Sequence, residues 1–211
     1  MFTKKLHDTF VYNRRMDLLS DTISKQLKDG EKVLDVGCGD GKIDYLIMQK
    51  KDVDIFGVDV LVRDTTHIPV CKYDGKSLPY KDNEFDAVIF IDVLHHIENQ
   101  TDILQEAKRV AKEKIIIKDH FREGLLAYST LKFMDWIGNA HYGVNLPYNY
   151  LSKDEWDKCF SKLGLTPKEY ITQLFLYPFP FSLIFDRNLH FVANIAIASE
   201  SEQALGHDNR Q

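Results

Sequence analysis

The stretch Val33-Leu34-Asp35-Val36-Gly37-Cys38-Gly39-Asp40-Gly41 decides the fold of this chain. From Lys32 to Val36 the residues form a short apolar run that reads as a β-strand and halts at the glycines, and Lys42 to Lys50 then reads as a helix. Glycine carries no side chain and tolerates positive φ, so the backbone of such a turn can come close to a ligand. A strand, a glycine-rich turn and a helix in that order are the opening unit of a doubly wound α/β sheet.

Working outward, Met16, Leu19, Ile23 and Leu27 recur near helical spacing and Gly30 stands where a C-terminal cap belongs, which predicts an N-terminal helix over about residues 9–28. Downstream, Ile55–Val60, Val70–Tyr73 and Phe85–Asp92 read as the second, third and fourth strands. They are apolar throughout rather than alternating, as parallel strands buried on both faces tend to be. Ile103, Leu104, Ala107, Val110 and Ala111 mark one face of a helix, and Lys114–Ile117 supplies a fifth strand.

Residues 121–150 break the pattern, with a helix expected over Leu125–Ile137 and turn-rich aromatic sequence after it; they read as an insertion over the active-site edge. Ser152 and Glu155 form a capping box for a helix whose apolar face is Trp156, Cys159, Phe160 and Leu163, with Gly164 ending it. Two more strands are expected, Tyr170–Tyr177 and Leu189–Ala198. The Pro178–Asp186 segment between them is too short for a helical crossover, so they should pair antiparallel; Leu176 to Phe185 reads as a buried connection rather than an apolar surface for a partner or lipid-like acceptor. Residues 1–198 are expected to form a single domain, with 199–211 a disordered polar tail.

A chain of 211 residues that is 44% hydrophobic can bury a substantial core. Its net charge of −5 carries no dense basic block, which disfavours nucleic acid as a partner. Cys38, Cys71 and Cys159 are odd in number and scattered, as suits a reduced, cytoplasmic setting. No stretch reads as a signal peptide or a membrane span, and a monomer or homodimer is expected.

The ligand of the glycine turn follows from what stands beside it. Dinucleotide folds place a third glycine at GxGxxG spacing so that a helix N-terminus faces a pyrophosphate; here that position is Lys42. Asp35 and Asp40 would repel a pyrophosphate but suit a ligand with positive charge. Asp59 ends the second strand roughly 20 residues beyond Gly39, where a carboxylate can accept both ribose hydroxyls.

The run from Val33 to Gly41 closely resembles the first motif of class I S-adenosylmethionine-dependent methyltransferases. Tyr73-Asp74-Gly75 followed by Leu78-Pro79-Tyr80 resembles that family's acidic adenine-binding segment, and Phe85 to Ile97 resembles its next motif, where the chain passes beneath the cofactor. The resemblance spans about residues 9–198 and is tightest over 33–97; the His95-His96 step after Leu94 is most similar to the small-molecule members. It implies a Rossmann-like, seven-stranded, mostly parallel sheet with an antiparallel last strand. It also implies S-adenosyl-L-methionine as cofactor, leaving as S-adenosyl-L-homocysteine, with Asp35, Gly37, Cys38, Gly39, Asp59, Val60, Asp74, Gly75 and Asp92 around it and Arg14 contributed by the N-terminal lid helix.

For catalysis the candidates are His95, at the end of strand four, and Asp119 and His120, just past strand five; each reads equally well as a packed or capping residue. His141, Tyr142, Tyr148, Asn149 and Tyr150 could line the pocket of a small-molecule acceptor. No metal is expected, because adjacent histidines rarely point the same way and no nearby carboxylate or cysteine completes a ligand set around His95 and His96. Two rival readings stay open: an NAD-dependent oxidoreductase, favoured by Asp59, and a non-catalytic protein that binds S-adenosylmethionine.

Overall fold

The computed structural model describes residues 2–139 and 146–197. A helix α1 (Phe2–Ser24) precedes β1 (Lys32–Val36), α2 (Lys42–Met48), β2 (Asp54–Asp59), β3 (Val70–Lys72) and β4 (Phe85–Ile91). A single 3-10 turn at Leu94–His96 leads to α3 (Gln100–Val110) and β5 (Ala111–His120). Then come α4 (Ala127–Asn139), α5 (Lys153–Lys162), β6 (Thr166–Ile171), α6 (Ser182–Phe185) and β7 (His190–Ala196).

The strands form one seven-stranded sheet in the order β3-β2-β1-β4-β5-β7-β6. β1 to β5 are parallel to their neighbours, whereas β7 runs antiparallel to both β5 and β6. This is the expected mostly parallel α/β sheet with an antiparallel end. The strand order reverses between β1 and β4, and in open sheets of this kind the crevice outside the carboxyl ends at the reversal is where ligands bind.

Alternation along the strands divides the core in two. Leu34, Val36, Val88, Phe90, Ile115 and Ile117 pack on one face with residues of α3 and α5. Val33, Ala87, Ile89 and Ile116 pack on the other with Leu19 and Ile23 of α1 and Ile47 of α2. Asp35 lies between Leu34 and Val36 in sequence, so the period of two sends it to the α1–α2 face.

Several boundaries differ from the sequence reading, for identifiable reasons. α1 starts at Phe2 and ends at Ser24, whose hydroxyl bonds the Asp21 carbonyl; Leu27 reaches the core from the turns that follow. β5 extends well past Lys114–Ile117 in both directions, because β4 and β7 flank it and pair its backbone along most of that length. The strand expected over Tyr170–Tyr177 is instead Thr166–Ile171. In the 174–177 segment, the Leu176 and Tyr177 N–H groups donate to the Asp186 carboxylate at 3.1 Å each, so a side chain takes the place of a neighbouring strand.

The Pro178–Asp186 connection is not the buried segment expected. Leu174 and Leu176 before it are buried, but Phe179 is 79% and Leu183 64% exposed. The capping box is present: the Glu155 N–H donates to Ser152 Oγ, and the Ser152 N–H to the Glu155 carboxylate. It launches α5 so that Trp156 is buried, with its indole N–H donating to the His120 carbonyl at 3.1 Å. The expected tail lies outside the described residues.

Trp156 fills the core on the α5 face and ties off the end of β5. Truncating it leaves a ring-sized cavity and an unpaired carbonyl, so Trp156→Ala is expected to cost about 3–5 kcal/mol of unfolding free energy. Urea denaturation followed by circular dichroism checks this, and a loss below about 1 kcal/mol would contradict the packing.

Candidate cofactor and acceptor site

The glycine turn sits at the carboxyl end of β1, against the end of β4. Gly37 has φ of 81°, and a Cβ there would lie 2.3 Å from Cγ2 of Val93, so only glycine lets the turn approach the β4 exit. Gly39 also has positive φ, 61°, but a Cβ there would meet nothing within 4 Å. Beside Gly39 the turn therefore borders open space. Its shape is held by Asp59 at the end of β2, which accepts from the Gly39 N–H at 2.9 Å and the Leu61 N–H at 2.8 Å.

Around this turn negative charge is concentrated and poorly satisfied. Asp35 and Asp44, the latter in the first turn of α2, are both buried. Apart from each other, with which they can share a proton, Asp35 Oδ1 and both Asp44 carboxylate oxygens have no hydrogen-bond partner among the described residues. Burial, with each carboxylate facing the other, pushes Asp35 well above the usual carboxylate range, and burial foremost lifts Asp44 to about 7. Cys38 is pushed up as well, by burial and then by Asp35, Asp44 and Asp59, so its thiol stays protonated.

Buried carboxyls partnered only by one another beside open space suit a ligand that brings donors and positive charge, and they oppose a diphosphate. Further along the same edge, exposed Asp74 accepts from the N–H groups of Ser77 and Lys76, which hold it below its ordinary value. A Cβ at Gly75 would lie 3.2 Å from Cγ1 of Val60, so these two residues adjoin one another on that edge.

The other half of the site is built at the ends of β4, β5 and β7. Asp92 follows β4 in the left-handed region, φ 56°, which aspartate tolerates better than most residues, and its N–H donates to the Lys118 carbonyl at 2.9 Å. Its carboxylate is ion-paired with both Arg15 of α1 and Lys118 of β5. Burial alone would raise Asp92, but the two cations outweigh it and hold it well below the usual range. Lys118 is lowered, chiefly by burial.

Beside this trio, Asp119 serves two histidines. Its Oδ1 lies 2.8 Å from His95 Nδ1 and 3.1 Å from His120 Nδ1, while Oδ2 accepts from the Leu94 N–H at 3.0 Å. His95 would be lowered by burial, but Asp119 and then Asp135 more than offset this and lift it to about 9. His120 is lowered by burial and by Lys118, and His190 of β7 is lowered for the same two reasons. Tyr150 stacks on His95 with ring centroids 4.9 Å apart, and its hydroxyl donates to the Leu131 carbonyl of α4.

The structure thus brings His95, Asp119, His120 and Asp92 together, and separately Asp35, Gly37, Cys38, Gly39 and Asp59. Of the lid-helix arginines, the Arg14 guanidinium donates to the Phe175 carbonyl at 3.0 Å, and Arg15 meets Asp92. The absence of a carboxylate near the histidine pair is a correction. Around the 3-10 turn Leu94–His96 the His95 and His96 rings lie 4.1 Å apart and both face Asp135.

Asp44, Lys118, Asp135 and His190 were missed in the sequence. Lys118 carried a signal, a lysine closing the apolar run of β5; Asp135, lying among apolar residues of a helix, carried little. Of the aromatic segment, His141 and Tyr142 lie outside the described residues. Asn149 donates from its backbone to the His95 carbonyl at 3.0 Å, tying residues 146–150 to the turn after β4.

Fold, glycine turn and carboxylate edge together define a doubly wound protein built for a cationic, phosphate-free nucleoside. Residues 7–170 match the family model described as a methyltransferase domain. The chain belongs to that family, in the class I, Rossmann-like form that uses S-adenosylmethionine. It is 28% identical over 161 residues to phosphoethanolamine N-methyltransferase 1 of Arabidopsis thaliana, covering 69% of this chain and 32% of that protein. A probable tRNA methyltransferase 9B of Bos taurus is 30% identical over 124 residues, covering 52% of this chain and 27% of that protein. A solved SAM-dependent methyltransferase from Aquifex aeolicus shares the fold at TM-score 0.60 and 21% identity, over 92% of this chain and 96% of that one. The chain spans between 22% and 44% of the length of the first curated relatives it matches.

The Asp35–Asp44 pair has a pH signature. The unfolded chain releases these protons near the ordinary value of 3.8, whereas in the folded chain both groups are raised, Asp44 to about 7. The folded state binds more protons across that window, so the stability of the ligand-free chain falls as pH rises from 3.8 through about 7, where Asp44 titrates. Asp44→Asn is expected to flatten that slope in urea midpoints taken across the window; an unchanged slope would remove the pair as its source.

Proposed function

We propose that the chain transfers the methyl group of S-adenosylmethionine to a small-molecule acceptor held at the ends of β4, β5 and β7. The observation that carries this is the buried pair of carboxyls Asp35 and Asp44, partnered only by one another, beside the open space at Gly39. S-adenosylmethionine brings an ammonium and a sulfonium and no phosphate, and when bound it supplies a methyl group ready for in-line displacement from a positively charged sulfur.

The residues divide the work along the edge. Asp35, backed by Asp44, accepts the ammonium protons, with the backbone of Gly37, Cys38 and Gly39 alongside. Asp59 keeps lone pairs for ribose hydroxyls after accepting from Gly39 and Leu61, since each carboxylate oxygen has two. Asp74, Gly75 and Val60 form the adenine side. Asp92, fixed between Arg15 and Lys118, stands where β4 opens toward the acceptor.

On the acceptor side, geometry separates the two catalytic candidates. His120 presents Nδ1 to Asp119 and directs Nε2 toward Asp92, 3.7 Å away, so Nε2 can take a proton from an acceptor at the β4–β5 edge. His95 also gives Nδ1 to Asp119 but points Nε2 away, toward Asp135. Alignment remains the larger effect: effective molarity is worth ~7–11 kcal/mol, against ~10²–10⁴-fold from a base. The net charge of −5 and the lack of a basic block favour a small acceptor over RNA.

Calorimetry tests the cofactor half. The parent is expected to bind S-adenosylmethionine and not NADH, and Gly39→Arg, which fills the open space, to abolish binding with its circular dichroism unchanged; tight binding of NADH alone would overturn the reading. Transfer of labelled methyl tests the acceptor half, with label expected in a small-molecule fraction rather than in tRNA. Once an acceptor is in hand, His120→Ala is expected to lower kcat by ~10²–10⁴-fold with cofactor affinity intact, and an unchanged kcat removes the base.

A further inference from the structure

The distances around His95 fall into two classes. On its Nδ1 side Asp119 stands at 2.8 Å, an ordinary hydrogen bond. On its Nε2 side Asp135 Oδ1 stands at 3.7 Å, and the same oxygen is 3.5 Å from His96 Nε2. Both separations exceed an ordinary hydrogen bond, although Asp135 also has other partners; one ligand atom from each of the three side chains lies within 4.8 Å of the others, and Asp135 and His95 are buried. Two atoms bound to one ion at about 2.0–2.1 Å, with a tetrahedral angle between them, lie roughly 3.4 Å apart. The two histidine-to-carboxylate separations lie close to this value.

We propose that His95 Nε2, His96 Nε2 and Asp135 Oδ1 bind a divalent transition-metal ion of the zinc class. The support behind His95 fits this role, because a metal-bound imidazole usually gives its second nitrogen to a carboxylate, which fixes the tautomer and the ring plane; Asp119 does this here. Two imidazoles and one carboxylate suit zinc, cobalt or iron, whereas magnesium and calcium prefer all-oxygen shells.

The neighbouring group of His95, Asp119 and His120 is different. Its contacts of 2.8 and 3.1 Å are hydrogen bonds that need no ion. Three protein ligands leave a fourth position open, as in catalytic zinc sites, and it would take an oxygen or sulfur of the acceptor. Only that last step rests on the methyl-transfer reading.

The test uses the full chain, stripped of metal and titrated with cobalt(II) in the absence of cofactor, so failure of the cofactor reading leaves it unaffected. The expected result is one ion per chain, visible d–d bands of a low-coordinate site, and an X-ray absorption shell of imidazole nitrogens and oxygen. His96→Gln and Asp135→Asn are expected to lose the bands while keeping the parent's circular dichroism. Asp119→Asn is expected to weaken binding by ~10- to 100-fold. No binding by the parent, a sulfur shell, or folded His96→Gln and Asp135→Asn variants that bind as the parent does would each overturn the proposal; the absorption shell is read on the parent and depends on no variant.

Discussion

The contact on which the site depends is the close approach of Gly37 to Val93. A single methyl group at position 37 would overlap Cγ2 of Val93, at 2.3 Å, and push the end of β1 away from the exit of β4. Strand order reverses between those two strands, so whatever holds their ends together also shapes the crevice. The packing of Cys38 over Gly57 repeats the device on the β2 side, where a Cβ would lie 2.4 Å from the sulfur. Close backbone approach on both flanks is what leaves room beside Gly39.

The edge so formed has two electrostatic characters. Toward β2 and α2 it is acidic, with Asp35 and Asp44 buried and partnered only by one another. Toward β5 and β7 it is mixed: Asp92 is neutralised by Arg15 and Lys118, and Asp119 by the histidines it bonds. Such an arrangement fits a cofactor whose cationic amino-acid end needs unpaired carboxylates and whose reacting end needs a fixed, already compensated field. A buried ion pair contributes little to stability for its cost, which is consistent with this cluster serving position rather than folding.

How much was legible beforehand follows the range of the interactions involved. The strand–turn–helix unit at 32–48, the buried parallel strands and the capping box of α5 each depend on neighbours a few residues apart, and all were readable. That Asp35, Gly39 and Asp59 gather at one edge was readable too, because their spacing is local to one β-α-β unit. The strand misread over Tyr170–Tyr177 failed where a distant group intervened, Asp186 satisfying Leu176 and Tyr177 in place of a neighbouring strand.

Local pattern was therefore enough for the class of fold, the glycine turn and the charge of its ligand, since period-two burial and the backbone freedom of glycine act within a single element. The chemistry of the other half was not accessible that way. Arg15, Asp92 and Lys118 lie up to 103 residues apart, as do other members of the histidine cluster on different elements, and only the parallel register of β4 with β5 and the docking of α1 and α4 bring them within reach. A one-dimensional pattern records which residues can ionise or ligate; the three-dimensional packing decides which of them meet.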